Sequence, residues 1–302
     1  MGEKDKSEKR LEDCADVFAD IVNVLAFQGK QILKEENLVS GSTESIYKAD
    51  SGELRSQYRD IMKYDRKGDT LFSVIGIENQ STVDPDMVLR IMKYNAISYQ
   101  AQIESGTERR PVITLLLYFG TKRWNGPKTL FECLKIEDIP YKEYLPALVN
   151  DQKLNLIEVA FLPEEVRNQL KSDFQIAANY FCAVREGTLE EFWKNNKTIK
   201  HVPELLEFLR VFANDARYEM YAPAMIERAK KGEKISMCSL LDYAENKGKV
   251  EGKIEGKIEA QKEIALGMLK EGVPYRQIVK FIKVPAETLK TWQQELKQQE
   301  RE

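Results

Sequence analysis

Histidine is nearly missing from this chain: of 302 residues only one, His201, carries an imidazole. Metal sites built from several histidines, or from histidine with cysteine, are therefore excluded, as are paired-histidine phosphodiesterases. A Ser-His-Asp triad would have to use His201 as its base, and no G-x-S-x-G nucleophile turn occurs in the sequence. His201 stands in Lys-Thr-Ile-Lys-His-Val-Pro and reads as a loop or capping histidine ahead of a helix. Cysteine is also sparse. Cys14, Cys133, Cys182 and Cys238 are far apart with no C-x-x-C, which points to reduced thiols and not to a disulfide frame or a zinc site.

Long apolar runs are absent too. The longest, residues 112–119, falls far short of the ~20 residues a membrane helix requires. Residues 1–10, MGEKDKSEKR, are too charged to serve as a signal segment, and Lys6 breaks the lipidation pattern that Met1-Gly2 opens. These absences predict a cytoplasmic protein with no membrane partner. Neither sign of charge dominates: 46 Lys plus Arg stand against 49 Asp plus Glu, a net charge of -3, so any nucleic-acid surface must be a local patch. The length suits two modules, or one large core with an extension.

What is present reads as α/β followed by α. Val17, Ile21, Val24 and Leu25 recur at helical spacing, predicting an amphipathic first helix that ends near Gly29. Two β-like runs follow, residues 58–65 and 71–80, with Gly68-Asp69 as turn chemistry between them. Asp84-Pro85-Asp86 opens a helix over about 87–103, and residues 112–119 read as a fully buried strand. Beyond about residue 136 the apolar residues recur at helical spacing, through 154–161, 166–181, 189–193 and 205–212. Residues 247–260 form a four-residue repeat, KGKVEGKIEGKIEA, with Gly248, Gly252 and Gly256 in register. Each glycine costs about 1 kcal/mol of helix propensity relative to alanine, so this segment is expected to be a marginal connecting helix or a close helix-helix contact. Three short helices are expected after it, separated by Gly272-Val273-Pro274 and by Val284-Pro285, in the pattern of a helix-turn-helix or of a small dimerisation bundle.

The chemistry concentrates in residues 58–80, YRDIMKYDRKGDTLFSVIGIENQ. Glu78 and Gln80, two apart on a strand, share a face. Asp60, on the preceding strand, joins them only if its cross-strand partner is even-numbered. A two-residue Gly68-Asp69 loop would pair Asp60 with Ile77 and separate the carboxylates, so the site requires an odd loop or a bulge that restores the register. Two carboxylates and a carbonyl without histidine make an oxygen-only donor set suited to Mg²⁺ or Mn²⁺, which can activate water at a scissile phosphate. On spacing alone a solvated hairpin fits better than a site, because surface strands often carry Asp and Glu. Asp16 or Asp20 on the first helix could add an acid, and parity favours neither.

Asp60 followed by Glu78-Asn79-Gln80-Ser81, then Asp86-Met87-Val88-Leu89-Arg90 and Tyr94, Pro111-Val112-Ile113, Tyr118-Phe119-Gly120 and Trp124, resembles the recombination-promoting nuclease / putative transposase family of the PD-(D/E)XK nuclease superfamily. The resemblance runs from the first helix to about Trp124 and continues loosely beyond. It implies an α/β, restriction-endonuclease-type core with a mixed central sheet, plus a helical C-terminal region. Asp60 and Glu78 would then be metal ligands, the Asn79 backbone carbonyl would complete the site, and Gln80 would take the place of the superfamily's lysine. Arg90 and Tyr94, one helical turn apart, would face the same cleft and with Lys93 hold DNA phosphates. Two departures stand out: Asn79 occupies a position where histidine is common in the family, and Gln80 lacks the lysine's positive charge.

The expected organisation is a nuclease core over 10–135, a helical lobe over 136–245, a glycine-spaced connector over 246–262 and a small helical module over 263–302, with homo-oligomerisation as an option for that module. The expected function is a Mg²⁺-dependent DNA endonuclease linked to recombination or mobile elements. The alternative is a catalytically inactive DNA-binding or assembly protein derived from a nuclease. A transposase with three carboxylates is a weaker reading, because nothing marks its third acid.

Overall fold

The computed structural model describes residues 11–41, 44–48, 54–58, 60–213 and 216–299. The charged segment 1–10 and Arg59, at the start of the expected hairpin, lie outside them. The chain divides into two compact units, Met1–Ser239 and Leu240–Glu302.

A five-stranded mixed sheet organises the first unit. Its strands are β1 (Leu38–Ser40), β4 (Ile61–Lys67), β5 (Thr70–Gln80), β6 (Val112–Tyr118) and β7 (Asn155–Glu158), hydrogen-bonded in that order. β1 and β5 run antiparallel to β4, whereas β5, β6 and β7 are mutually parallel. A second, two-stranded sheet pairs β2 (Glu44–Lys48) with β3 (Leu54–Tyr58), which no sequence pattern announced. The parallel half explains why residues 112–119 lack alternation: Leu115, Leu116 and Leu117 are all buried, because both faces of the strand are covered.

One face is covered by α2 (Met87–Glu104), whose Met87 and Ile91 form a cluster with Leu116, Tyr118 and Trp124. Asn95 on that helix accepts the Thr114 hydroxyl at 2.7 Å. The opposite face meets α1 (Ala15–Leu25) and the helical region, where Phe119 packs against Phe181 of α3 (Phe174–Glu186) and Phe208 of α4 (Val202–Ala213). Asp20 of α1 accepts the backbone amides of Lys171 and Ser172, and Asp16 pairs with Lys200 and His201, so these two acids tie α1 to the helical region.

Several expectations need correction. The first helix ends at Leu25, with Gln28 and Gly29 both in the left-handed region. Residues 154–161, read as helical, hold the edge strand β7 and a single 3₁₀ turn, Val159–Phe161. Four strand residues followed by a tight turn mimic a short helical recurrence. After α5 (Ala216–Lys230), the glycine repeat and the first of the three expected C-terminal helices merge into one helix, α6 (Met237–Lys270).

In the second unit, α6 is followed by α7 (Tyr275–Ile282) and α8 (Ala286–Gln299). Ala265, Ile278, Ile282, Leu289 and Trp292 form the small core of this unit. Among the described residues, no helix is long and apolar enough to cross a membrane.

Candidate active site

The hairpin that carries the candidate acids is closed by Gly68-Asp69 between the paired residues Lys67 and Thr70, with Gly68 at φ 59° as the two-residue turn demands. That loop alone sets the wrong parity for Asp60. The register then shifts: Arg66 pairs with Leu71, but Asp65 pairs with Ser73, leaving Phe72 as the extra residue of a bulge. From there Met62 faces Gly76 and Ile61 faces Ile77, where the ladder ends, and the same register carried one step further sets Asp60 opposite Glu78. The bulge thus restores the register that the short loop removes.

The two acids interlock through the backbone. The Asp60 amide donates to Glu78 Oε1 at 3.3 Å, and the Asn79 amide donates to Asp60 Oδ2 at 2.8 Å. Glu78 is fully buried and Asp60 is half-buried. Gln80, also half-buried, shares the face of Glu78, since Glu78 and Gln80 pair with Leu116 and Tyr118 beneath α2. Gly120 lets the chain fold back here, because a Cβ at that position would lie 2.1 Å from the Tyr118 hydroxyl.

Arg90 projects from α2 on this same side. It donates to Asp84 at 2.7 Å and to the Tyr94 hydroxyl at 3.2 Å. Burial works against its charge, but the Asp84 and Tyr94 hydrogen bonds and the field of Glu78 more than offset this and hold the guanidinium firmly protonated. Tyr94 is buried and supports Arg90, while Lys93 beside it is half-buried. Asp84 was not foreseen as a site residue. It reads from sequence as a helix-opening acid, and it does accept the Asp86 amide at 2.9 Å while also gripping Arg90.

The second unforeseen residue is Glu12. It is fully buried on the other side of β5, where the Asn79 side-chain amide donates to it at 2.6 Å. Burial, with a smaller contribution from the Asp60 charge and against the Asn79 hydrogen bond, pushes its carboxyl from 4.5 up to about 8. Glu12 therefore carries a proton at neutral pH. Glu12 Oε1 and Asn79 Oδ1 are buried with no hydrogen-bond partner among the described residues. Nothing in the sequence distinguishes Glu12, because acids near a helix start are ordinary and the chain bends at Cys14 before α1 begins. Next to it, Asp13 accepts from the buried Lys63 of β4 at 2.7 Å, which fixes the segment against the sheet.

Among the described residues, no group of three or more His, Cys, Asp or Glu side chains is arranged to hold a metal ion. Asp60, Glu78 and the Asn79 carbonyl offer oxygen donors only. That set fits a cation of the Mg²⁺ type, which binds through one or two carboxylates and keeps water and substrate phosphates as its other ligands.

The mixed sheet, with helices on both faces, defines an α/β protein with its candidate acids at the end of the β4–β5 hairpin away from the turn. A family model described as "Putative transposase, YhgA-like" matches residues 45–208, and the chain belongs to that family. No curated protein and no solved structure matches the chain.

Proposed function

We propose that this protein is a metal-dependent DNA endonuclease that hydrolyses phosphodiester bonds in the service of recombination or mobile-element movement, on a PD-(D/E)XK-like core. The observation that carries the reading is the bulge-set pairing of Asp60 with Glu78 on the sheet face overlooked by Arg90. Membership of a transposase family supports DNA as the partner and mobile elements as the setting.

Asp60, Glu78 and the Asn79 carbonyl would hold Mg²⁺ or Mn²⁺. Such a cation supplies a Lewis acid for the scissile phosphate and lowers the pKa of an attacking water. Asp60 is already oriented by the Asn79 amide, so little reorganisation is needed for its other oxygen to act as a ligand. Gln80, next along the same face, would orient the water through its carboxamide. Arg90 would contact a DNA phosphate with the N–H groups not given to Asp84 and Tyr94. Tyr94 would position it, and Lys93 would add charge along the backbone.

A second reading, a DNA-binding or assembly protein without catalysis, is favoured by one observation: Gln80 brings no positive charge to the place where the superfamily uses lysine. Incubating purified protein with supercoiled plasmid in Mg²⁺, Mn²⁺ or EDTA, beside Asp60→Ala, separates the two. Nicking that needs the metal and disappears in Asp60→Ala supports the enzyme. DNA retention without nicking under all conditions supports the second reading.

A further inference from the structure

Two arginines of the first unit converge on one aromatic ring. Arg123, in the loop after β6, and Arg185, in the last turn of α3, each lay a guanidinium on Phe161, at 4.0 and 4.6 Å from its centroid. Each also spends a hydrogen bond on an acid. Arg123 donates to Glu158 at 2.7 Å, and Arg185 donates to the adjacent Glu186. Glu158 is itself fixed, because its other oxygen accepts the Trp124 amide at 2.7 Å. A guanidinium has five N–H donors, so ring and acid hold both groups while donors remain for a further partner. Two like charges on one ring also repel, and an anion between them relieves that repulsion.

Position in the fold identifies the anion. β5, β6 and β7 run parallel, with Gln80, Tyr118 and Glu158 in register at their C-terminal ends. Open α/β sheets bind their ligands along that edge. Neighbouring strands lie about 4.8 Å apart, so Glu158 stands about 10 Å across the sheet from Gln80, the axial rise of about three nucleotides of one DNA strand. A strand seated at the paired acids and running along this edge meets Arg123 and Arg185 next. The Arg123 side chain is 64% exposed, and Lys122 before it is exposed as well. An arginine pinned by a ring and an acid has already lost the freedom that a surface side chain normally keeps, which lowers the entropic cost of gripping a ligand.

We infer that Arg123 and Arg185, held on Phe161, form a second anchor for the DNA backbone, gripping adjacent phosphates to one side of the bond that Asp60 and Glu78 would attack. The inference rests on DNA as the substrate of that site. Planar guanidiniums meet phosphate oxygens through paired N–H···O bonds, a geometry that an ammonium cannot reproduce. Phosphate contacts carry no base information, so this anchor sets where the strand lies in the site and not which sequence is chosen.

Fluorescence anisotropy of the full chain on a labelled random-sequence duplex, in EDTA and over a salt series, tests it. Arg123→Gln and Arg185→Gln should each lower the slope of log K against log salt by about 0.9, and the double variant by about 1.8. Arg123→Lys keeps the charge and should keep the slope while weakening binding, because lysine neither forks nor stacks. Phe161→Leu removes the ring but leaves both cations, and should likewise weaken binding several-fold at the wild-type slope. The slope separates contact from mere structure: a partly unfolded variant loses active protein, yet what remains binds with unchanged salt dependence. Wild-type slopes in both glutamine variants and in their combination would overturn the inference and leave the reading of Asp60 and Glu78 standing. Reduced slopes without metal-dependent cleavage by the wild type would sustain the anchor and remove the enzyme. A wild type that binds no DNA would overturn both.

Discussion

The Asp60 carboxylate accepts the backbone amide of Asn79 at 2.8 Å, while the Asp60 amide donates to Glu78 at 3.3 Å. Each candidate ligand is thereby held by the strand that carries the other. This cross-strand clasp distinguishes a preorganised pair from two acids that merely decorate a hairpin.

Conservative substitution should expose the pair's chemistry without unfolding the sheet. Asp60→Asn and Glu78→Gln keep size and hydrogen-bonding capacity but lose the charge that would bind a cation. Metal-dependent plasmid cleavage should fall by about 100-fold or more in each, the equivalent of ~3 kcal/mol of transition-state stabilisation. Circular dichroism and the melting profile should stay close to wild type. Cleavage by both variants at the wild-type rate would remove the assignment.

Glu12 predicts an unusual pH dependence of stability. Its folded pKa, about 8, lies above the ordinary 4.5, so between those values the folded chain holds a proton that the unfolded chain releases. The stabilisation it contributes is fully present below pH 4.5 and is lost as pH rises toward 8. Glu12→Gln should flatten this decline, matching wild type at pH 5 and exceeding it above pH 8 in urea melts.

Asp16 works in the opposite sense. Burial raises its carboxyl, but hydrogen bonds and charge from Lys200 and His201 win and hold it below the ordinary 3.8. A depressed carboxyl stabilises above its unfolded pKa, and that contribution disappears as pH falls through the folded value. Asp16→Asn should cost roughly 1 kcal/mol at neutral pH, where α1 loses its tie to Lys200 and His201. The difference from wild type should vanish in strong acid, as equilibrium unfolding at pH 7 and pH 2.5 would reveal.

The hairpin was legible from the sequence in part, and the missing part is instructive. Gly68-Asp69 gave the turn and the i, i+2 rule put Glu78 and Gln80 together, yet the parity of Asp60 hung on a bulge at Phe72 that no residue type signals. The buried strand β6 and the α2 start at Asp84-Pro85-Asp86 followed from apolar pattern and turn chemistry, as did Ile278, Leu289 and Trp292 in the core of α7 and α8, whereas Phe281, expected on the same buried side, is 73% exposed. β7 did not, because four strand residues are too few to fix a period. Glu12 was invisible because its importance comes from a tertiary neighbour 67 positions away.

Arg90 should report on DNA contact. Arg90→Ala should weaken binding to plasmid-length DNA and lower the slope of log K against log salt by about 0.9, the signature of one lost phosphate contact. Asp84→Ala, which frees Arg90 from its 2.7 Å partner, should affect affinity less but widen the salt dependence of cleavage. An unchanged slope in Arg90→Ala would place the DNA elsewhere.

A chain ending at residue 245 keeps the sheet, the paired acids and the buried Met237 and Leu240. It should fold cooperatively and retain metal-dependent cleavage, since the candidate site is complete before residue 95. Loss of secondary structure on truncation would show that the C-terminal helices belong to one cooperative unit with the core.

Phe72 gives the hairpin a sensitivity that side-chain chemistry does not predict. A strand has only two phases, and the segment between Asp60 and Glu78 must deliver the second acid in the same phase as the first. Positions 66–73 are mostly exposed, so most single replacements there should be tolerated. Deleting Phe72, however, would slide every residue from Ile61 to Asp65 against the opposite phase of β5, exchanging the two faces of the strand and parting the carboxylates without altering either one. Here the spacing is itself a functional element: the stretch is free in composition and fixed in length.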